Sequence, residues 1–207
     1  MTDRNKAILL ASGNIRSPRG KLSYPYLFSP QPPRRGEVQK PDAKPKYTTT
    51  LLLPPDVDLT IARNAVRDTA KEKFGDRLND ELFMKKFKLP FIKAEEVMKD
   101  FNGWTVLRLS SVNKPGIVDH MGRPVTEPRE VYAGRWAFVS INPFAYDREG
   151  NRGVSFGVVN VQLLEHDTPL AGSSVQPEKE FAAVEIEAGA EASTASAAPK
   201  SAADIFS

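Results

Sequence analysis

The strongest constraint on the fold is a long segment of alternating side chains, Val131 to Asn142. Its odd positions are mostly small aliphatic residues, interrupted by Arg135, whereas its even positions include Tyr132, Trp136 and Phe138. Because successive side chains of a strand point to opposite faces, this pattern predicts a β-strand with two different surfaces. Small aliphatic residues suit the interior of a small barrel, so the large aromatic residues are expected to face outward, where something must cover them or bind to them.

Further segments extend the β pattern. A second long strand is predicted at 152–164, and the intervening residues 147–151 have the composition of a hairpin turn. Shorter β-rich segments predict strands at 7–10, 47–53 and 104–112, and a small hairpin at 117–125. The chain is therefore expected to be mostly β.

Two helices are predicted among these strands. Asp58 is the expected N-cap of the first, Gly75 its C-terminal stop, and its apolar face repeats at helical spacing through Leu59, Ala62, Val66 and Ala70. A shorter helix is expected within 79–87. Strands with an inserted helix are what an OB-fold requires, so the predicted fold is a five-stranded antiparallel OB-fold barrel with an inserted helix.

A basic, proline-rich stretch follows the first predicted strand. Seven of the 17 prolines lie between Pro18 and Pro45, which excludes a helix or a central strand and predicts an exposed, extended loop. Tyr24, Tyr26 and Phe28 occupy alternate positions there. These aromatic residues either anchor the loop on the core or stack on nucleic-acid bases, and the sequence leaves both roles open.

Charge divides the chain into two parts. Residues 1–160 contain 27 Lys and Arg against 18 Asp and Glu, a balance of +9, whereas residues 161–207 contain two Lys against eight acids. Residues 188–203 include eight alanines and are expected to stay disordered. We therefore predict one domain at 1–172 and a flexible acidic tail at 173–207, whose Asp204, Ile205 and Phe206 are either a partner-docking motif or a chance sequence.

The composition argues against several classes of function. The chain has no cysteine, which excludes disulfides, thiolate metal sites and a cysteine nucleophile. No G-x-x-x-x-G-K-[S/T] phosphate-binding motif and no G-x-S-x-G serine motif is present. The apolar run at 7–11 is too short for a signal peptide or a membrane span, so we expect an intracellular protein without a membrane partner. We expect no cofactor, no metal and no enzymatic activity.

A basic body that carries aromatic residues is typical of a nucleic-acid-binding protein, because cations neutralise phosphates and aromatic rings stack on any base. A core role remains open for each aromatic residue taken alone. The candidate nucleic-acid-binding residues are Arg16, Arg19, Lys21, Tyr24, Tyr26, Arg34, Arg35, Lys44, Lys46, Tyr47, Trp104, Arg108, Tyr132, Arg135, Trp136, Phe138, Arg152 and Phe156.

Two rival functions remain open from the residues alone. A metal-dependent nuclease or other DNA-processing enzyme would use Asp119, His120 or the cluster at 165–167, although neither histidine has a second one at ligand spacing. A structural virion protein would carry its surface charge incidentally.

A family resemblance favours DNA binding. The chain resembles a tailed-bacteriophage family of single-stranded DNA-binding proteins, formerly described as a domain of unknown function, over most of residues 5–172. The motifs that carry the resemblance are Lys114-Pro115-Gly116-Ile117-Val118-Asp119, Val131-Tyr132-Ala133-Gly134-Arg135-Trp136, Pro143-Phe144-Ala145-Tyr146, Pro169-Leu170-Ala171-Gly172 and, most specifically, the 13-residue closing strand motif that begins at Gly150 and ends at Gln162.

The resemblance implies an OB-fold that binds single-stranded DNA without sequence preference during phage replication or recombination. The sequence leaves open whether the chain also binds duplex DNA. It also implies a location in the cytoplasm of the infected bacterial host. A C-terminal tail that docks phage or host replication and recombination proteins is a further expectation of the resemblance.

Overall fold

Ten strands and two α-helices follow one another along the described residues of the computed structural model, which are 3–32, 44–96, 100–148 and 150–170. The strands are β1 (Ile8–Leu9), β2 (Ile15–Arg16), β3 (Gly20–Tyr26), β4 (Tyr47–Leu53), β5 (Phe87–Lys88), β6 (Phe91–Lys93), β7 (Thr105–Ser111), β8 (Gly116–Val118), β9 (Trp136–Arg148) and β10 (Asn151–Leu163). The helices are α1 (Thr60–Phe74) and α2 (Glu81–Lys85). All described residues belong to one unit, Met1–Ala171. The protein is mostly β, as predicted.

Five of the strands pair in a closed cycle. β3 pairs with β4, β4 with β7, β7 with β10 and β10 with β9, and β9 returns to β3. Four of these pairings are antiparallel, but β7 and β10 run parallel, with Leu109 opposite Phe156. The prediction of a purely antiparallel arrangement is therefore wrong at this pair. β7 and β10 are far apart in the chain, so no local sequence pattern predicts that they pair.

The long hairpin of β9 and β10 is the largest pairing of the sheet. Its register runs from Arg148 opposite Asn151 to Ala137 opposite Leu163, and Gly150 adopts a φ of +80° in the turn. The predicted hairpin is thus confirmed, but its first strand begins later than expected. The cause is a turn at Gly134, where φ is +106°, immediately before the strand.

The core lies inside the closed cycle and under α1. Small aliphatic residues on the odd positions of β9 point into it, as predicted, and α1 adds the apolar face that its spacing predicts. The fully or almost fully buried members include Leu22, Leu51, Leu53, Leu107, Leu109, Ala137, Val139, Ile141, Val154, Phe156, Val158, Ala62, Val66, Ala70 and Phe74.

The helices start and stop close to the predicted residues. α1 begins one residue later than expected, with Leu59 as its N-cap, and Asp58 Oδ1 accepts a hydrogen bond from the Thr60 N–H at 2.8 Å. Gly75 ends it with a φ of +52°. α2 is capped by the side chain of Asp80. No helix among the described residues is long and apolar enough to cross a membrane.

Candidate nucleic-acid interface

One continuous open surface crosses the outer face of the cycle, over β4, β7, β10 and β9. It consists of two adjoining depressions that share Ser110. We call this surface the β4–β7 trough, and the lining residues that matter below are Tyr24, Tyr26, Thr48, Thr50, Arg108, Ser110, Ser155, Lys44, Lys46, Lys114, Phe144, Arg148 and Gly157.

Strand alternation explains the floor of the trough. On β7, Leu107 and Leu109 enter the core, so Arg108 and Ser110 point the other way. Their neighbours on β4 are Thr50 and Thr48, respectively, in the antiparallel register. The floor therefore combines hydroxyl groups with one cation. Gly157 on β10 adds a position without a side chain, and it lies opposite Asn142 of β9.

Three aromatic side chains rise beside this polar floor. Tyr24 is 68% exposed and Phe144 is 39% exposed, whereas Tyr26 is half-buried. Exposed aromatic rings are costly in water, and the face of a ring is the surface on which a nucleic-acid base stacks. The trough thus presents stacking surfaces on both the β3 side and the β9 side.

The cations of the trough have no acidic partners among the described residues. Within the described part of the chain, none of these cationic side chains forms an ion pair: Lys44, Lys46, Arg108, Lys114 and Arg148. Lys114 lies with its Nζ 5.4 Å from the ring centroid of Phe28. Cations without carboxylate partners create a positive potential that attracts an anionic polymer.

The predicted aromatic face at the start of β9 is covered. Trp136 is 9% exposed and Phe138 is 5% exposed. The Arg19 guanidinium lies 3.9 Å from the Trp136 ring centroid, and that of Arg16 lies 4.1 Å from the Phe138 ring centroid. The expectation that bases reach these two rings on an open face is wrong for this structure, because the segment that contains β2 and the start of β3 lies over them. Half-buried Trp104 packs beside Trp136 at 6.3 Å.

Hydrogen bonds and ion pairs hold the segment that lies over Trp136 in place. Lys21 Nζ lies 2.9 Å from Asp167 Oδ2, and Trp136 Nε1 donates to the same oxygen at 2.7 Å. Hydrogen bonds from Lys21, from the Thr168 backbone N–H and from Trp136 lower the pKa of Asp167 to about 2. Arg19 is likewise paired with Glu165. These cations are compensated, so they differ from those of the trough.

Three further predicted residues are engaged inside the protein. Phe156 is fully buried in the core, so the prediction that it contacts bases is wrong. Arg135 is buried and pairs with Glu130 at 3.5 Å. Arg152 contacts Asp147 at 3.9 Å and lies with its guanidinium carbon 4.7 Å from the ring centroid of Phe83.

Two of the remaining predicted residues are half-buried outside the trough. They are Tyr47 and Tyr132, and the hydroxyl of Tyr132 contacts His166.

The structure thus brings together five of the predicted residues, which are Tyr24, Tyr26, Lys44, Lys46 and Arg108. Arg34, Arg35 and the predicted docking motif Asp204, Ile205 and Phe206 lie outside the described residues.

Sequence reasoning missed Lys114, Phe144 and Arg148. A usable signal existed, because β9 continues beyond Asn142 and its alternation places Phe144 on the same face as Asn142. The sequence pattern predicts a strand that ends at 142, so Phe144 was not among the predicted binding residues.

The rival nuclease residues have other roles here. Asp119 accepts hydrogen bonds from the Met121 and Arg123 backbones and pairs with the Arg123 guanidinium at 2.7 Å. No group of three or more His, Asp or Glu side chains among the described residues could hold a metal ion.

Comparison with known proteins identifies the family. The model of a family described as the ssDNA-binding protein of Enterobacter phage Enc34 matches residues 13–192. The chain belongs to this family. The resemblance inferred from its motifs and the predicted single-stranded DNA-binding function are thereby confirmed at the level of the family.

Solved structures of phage proteins share the fold. The C-terminally truncated single-stranded DNA-binding protein of bacteriophage Enc34 superposes with a TM-score of 0.62 at 19% identity, covering 82% of this chain and 95% of that one. The same phage protein in complex with ssDNA gives 0.61 at 18% identity, with coverages of 83% and 96%. The bacteriophage T7 single-stranded DNA-binding protein gp2.5 gives 0.52 at 18%, with 86% and 97%. No curated protein matches the chain significantly.

Proposed function

We propose that the chain binds single-stranded DNA without sequence preference, and that the β4–β7 trough is the binding surface. The observation that carries this proposal is a set of trough cations that have no acidic partner among the described residues and lie beside exposed aromatic rings. We further propose that the closed five-strand cycle is an OB-fold barrel. The faces of the second and third strands of such a barrel, which are β4 and β7 here, are a frequent oligonucleotide site.

Each part of the trough has a separate task in this proposal. Arg108, Lys46, Lys114 and Arg148 neutralise phosphates, which have the same charge at every nucleotide. Tyr24, Tyr26 and Phe144 stack on bases, and all four bases have a ring face. Neither interaction reads a base edge, so binding is insensitive to sequence. The threonine and serine hydroxyls of the floor add hydrogen bonds to phosphate and sugar.

Binding without catalysis is the role that the contacts favour. The acids of the rival nuclease reading are engaged with cations: Asp119 with Arg123, Asp167 with Lys21, and Glu165 with both Arg4 and Arg19. A coating protein needs only to occupy and protect strands that are exposed when a duplex opens. We therefore place the protein in phage replication or recombination, in the cytoplasm of the infected host.

We also propose that two parts of the chain have different functions. Residues 1–172 form the DNA-binding domain, and the acidic segment 173–207 presents Asp204, Ile205 and Phe206 to phage or host replication and recombination proteins. The sequence feature that supports this is an apolar pair at the end of an acidic, alanine-rich stretch.

A salt titration tests the proposed function. Fluorescence anisotropy of a labelled dT oligonucleotide, measured at several salt concentrations, should give a log affinity that falls linearly with log salt, and about 0.7 should be lost from the slope for each phosphate contact removed. Lys114→Ala and Arg148→Ala should each lower the slope by about that amount. Arg67→Ala, on the exposed face of α1, is the matched control and should leave the slope unchanged.

The same titration with a duplex of equal length measures the preference for single strands. A slope near zero for the wild type, or equal effects of Arg67→Ala and Lys114→Ala, would refute the assignment of the trough.

A further inference from the structure

Tyr24 has a backbone conformation that side chains rarely adopt. Its φ is +47°, and it is the one residue other than glycine with a positive φ among the described residues. Tyrosine lacks the short polar side chain that lets asparagine and aspartate tolerate this region. Pro25 follows directly, and a proline favours an extended conformation for the residue before it. The backbone at Tyr24 is therefore strained.

The strain sits in a β-bulge between β3 and β4. Ser23 lies opposite Thr50 and Tyr26 lies opposite Thr48, so Tyr24 and Pro25 together face the single residue Thr49. Bulges of this type interrupt the ladder and redirect a side chain. Here the redirected side chain is Tyr24, which is exposed and lines the trough.

Buried residues on both sides hold the bulge in place. Leu22 and Leu27 are fully buried, so β3 is anchored before and after Tyr24. Thr49 is only 3% exposed, and its Oγ1 donates to the Ser23 carbonyl at 3.3 Å. This hydroxyl thus contacts the carbonyl next to the strained residue, and it also lies 3.5 Å from the Thr50 carbonyl oxygen. Strain of this kind persists only where the surroundings over-determine the conformation, and it is concentrated at functional sites.

We propose that the Tyr24 bulge is a preformed base-stacking platform that the protein maintains against its own folding stability. Thr49 borders the same depression but is almost fully buried, so in this proposal it is a positioning residue that affects DNA binding through Tyr24. The proposal rests on the proposed function, because it assigns a role within the same trough. A platform that is already oriented loses little conformational entropy when a base stacks on it, which favours binding.

Two substitutions at Tyr24 separate the effect of its ring on DNA affinity from the effect of its backbone conformation on stability. Tyr24→Ala and Tyr24→Gly both remove the ring, so each should weaken binding to a dT oligonucleotide by about 5- to 150-fold, the equivalent of the ~1–3 kcal/mol expected for one stacked base. Tyr24→Gly also relieves the strain. Its Tm should therefore exceed that of Tyr24→Ala by about 2–4 °C.

Tyr26 provides the matched control for this pair. It lies in the same strand without a positive φ, so Tyr26→Gly should be less stable than Tyr26→Ala, the usual order for a strand residue. Tyr24→Phe should keep the affinity, because it keeps the ring.

Thr49 is tested by a double-mutant cycle with Tyr24. Thr49→Val removes the hydroxyl and keeps the shape, and it should weaken DNA binding at least about twofold when Tyr24 is present. In the Tyr24→Ala background it should have no effect on affinity. Thr49→Ser should restore binding. A merely structural role would lower the Tm and change affinity equally in both backgrounds, so the cycle distinguishes the two.

The outcomes are separable from those of the proposed function. If the wild type binds no single-stranded DNA, the function itself is wrong. If the wild type binds but Tyr24→Ala binds equally well, Tyr24 is no platform. If Tyr24→Gly is less stable than Tyr24→Ala, the strain is absent. If Thr49→Val acts equally in both backgrounds, Thr49 has no positioning role.

Discussion

A comparison of Phe144→Ala with Trp136→Ala decides which end of β9 binds DNA. The two residues lie on the same strand, but Phe144 opens onto the trough, whereas Trp136 is covered by Arg19 and hydrogen-bonded to Asp167. Removal of each ring should therefore affect a different property of the protein.

For Trp136 the expected loss is in folding stability. A buried tryptophan removes roughly 150–250 Å² from water, which at about 25 cal/mol per Å² corresponds to ~4–6 kcal/mol as an upper estimate. Core truncations of this size cost about 3–5 kcal/mol. Loss of the cation–π contact with Arg19 adds ~0.5–1 kcal/mol. Since domains are stable by only about 5–15 kcal/mol, Trp136→Ala should leave a folded but much weakened protein.

For Phe144 the expected loss is in DNA affinity. Its ring is partly exposed, so Phe144→Ala should lower the free energy of unfolding by only about 1 kcal/mol. Loss of one stacked base should weaken binding to a dT oligonucleotide by ~1–3 kcal/mol. Urea denaturation gives the stability of each variant, and fluorescence anisotropy at a temperature where both are folded gives the affinity.

The reverse pattern would refute this reasoning. If Trp136→Ala keeps its stability and loses affinity while Phe144→Ala binds normally, bases stack on the start of β9, and the arginines that cover it must move when DNA binds. A change in tryptophan fluorescence on saturation with DNA would point the same way.

Two further predictions concern charge. The pKa of Asp167 is lowered to about 2, so its ion pair with Lys21 stabilises the fold above the unfolded pKa of about 3.8, and this stabilisation is lost as the pH falls toward 2. In acid titrations followed by circular dichroism, wild type and Asp167→Asn should therefore differ in stability at pH 5 and converge near pH 2. A stability difference that is the same at both pH values would contradict this prediction. Deletion of 173–207 removes six acids and two lysines, and therefore a net negative charge that repels DNA. The affinity for DNA should rise at low salt, and this gain should shrink as the Debye length falls to about 3 Å at 1 M salt. Equal affinities of the truncated and full chains at every salt concentration would show that this charge has no effect.

Local features of the fold were predictable because their causes are local. The alternation of β9, the turn composition at 147–151 and the apolar spacing of α1 lie within segments of a dozen or so residues, and the structure contains each element near its predicted place. The charge split and the motifs of the closing strand were also readable, and they were enough to predict a phage single-stranded DNA-binding family.

The candidate site was only partly predictable, because exposure depends on distant residues. Alternation correctly put Trp136 and Phe138 on the face opposite the core, but whether that face is open was decided by Arg16 and Arg19, more than a hundred positions earlier in the chain. The same applies to charge: Arg108 and Arg135 look alike in the sequence, and only the structure shows which one has a carboxylate partner.

The sequence by itself determined the β-rich fold and the inserted helix, since these follow from periodicity and turn chemistry, and its family motifs together with its charge indicated the class of ligand. The tertiary structure decided which surface is available to that ligand. The parallel pairing of β7 with β10 and the bulge at Tyr24 bring residues from β3, β4, β7, β9 and β10 to one surface. Pairing between distant strands fixes which side chains are covered and which cations keep no partner, and a pattern confined to one segment contains no information about that pairing.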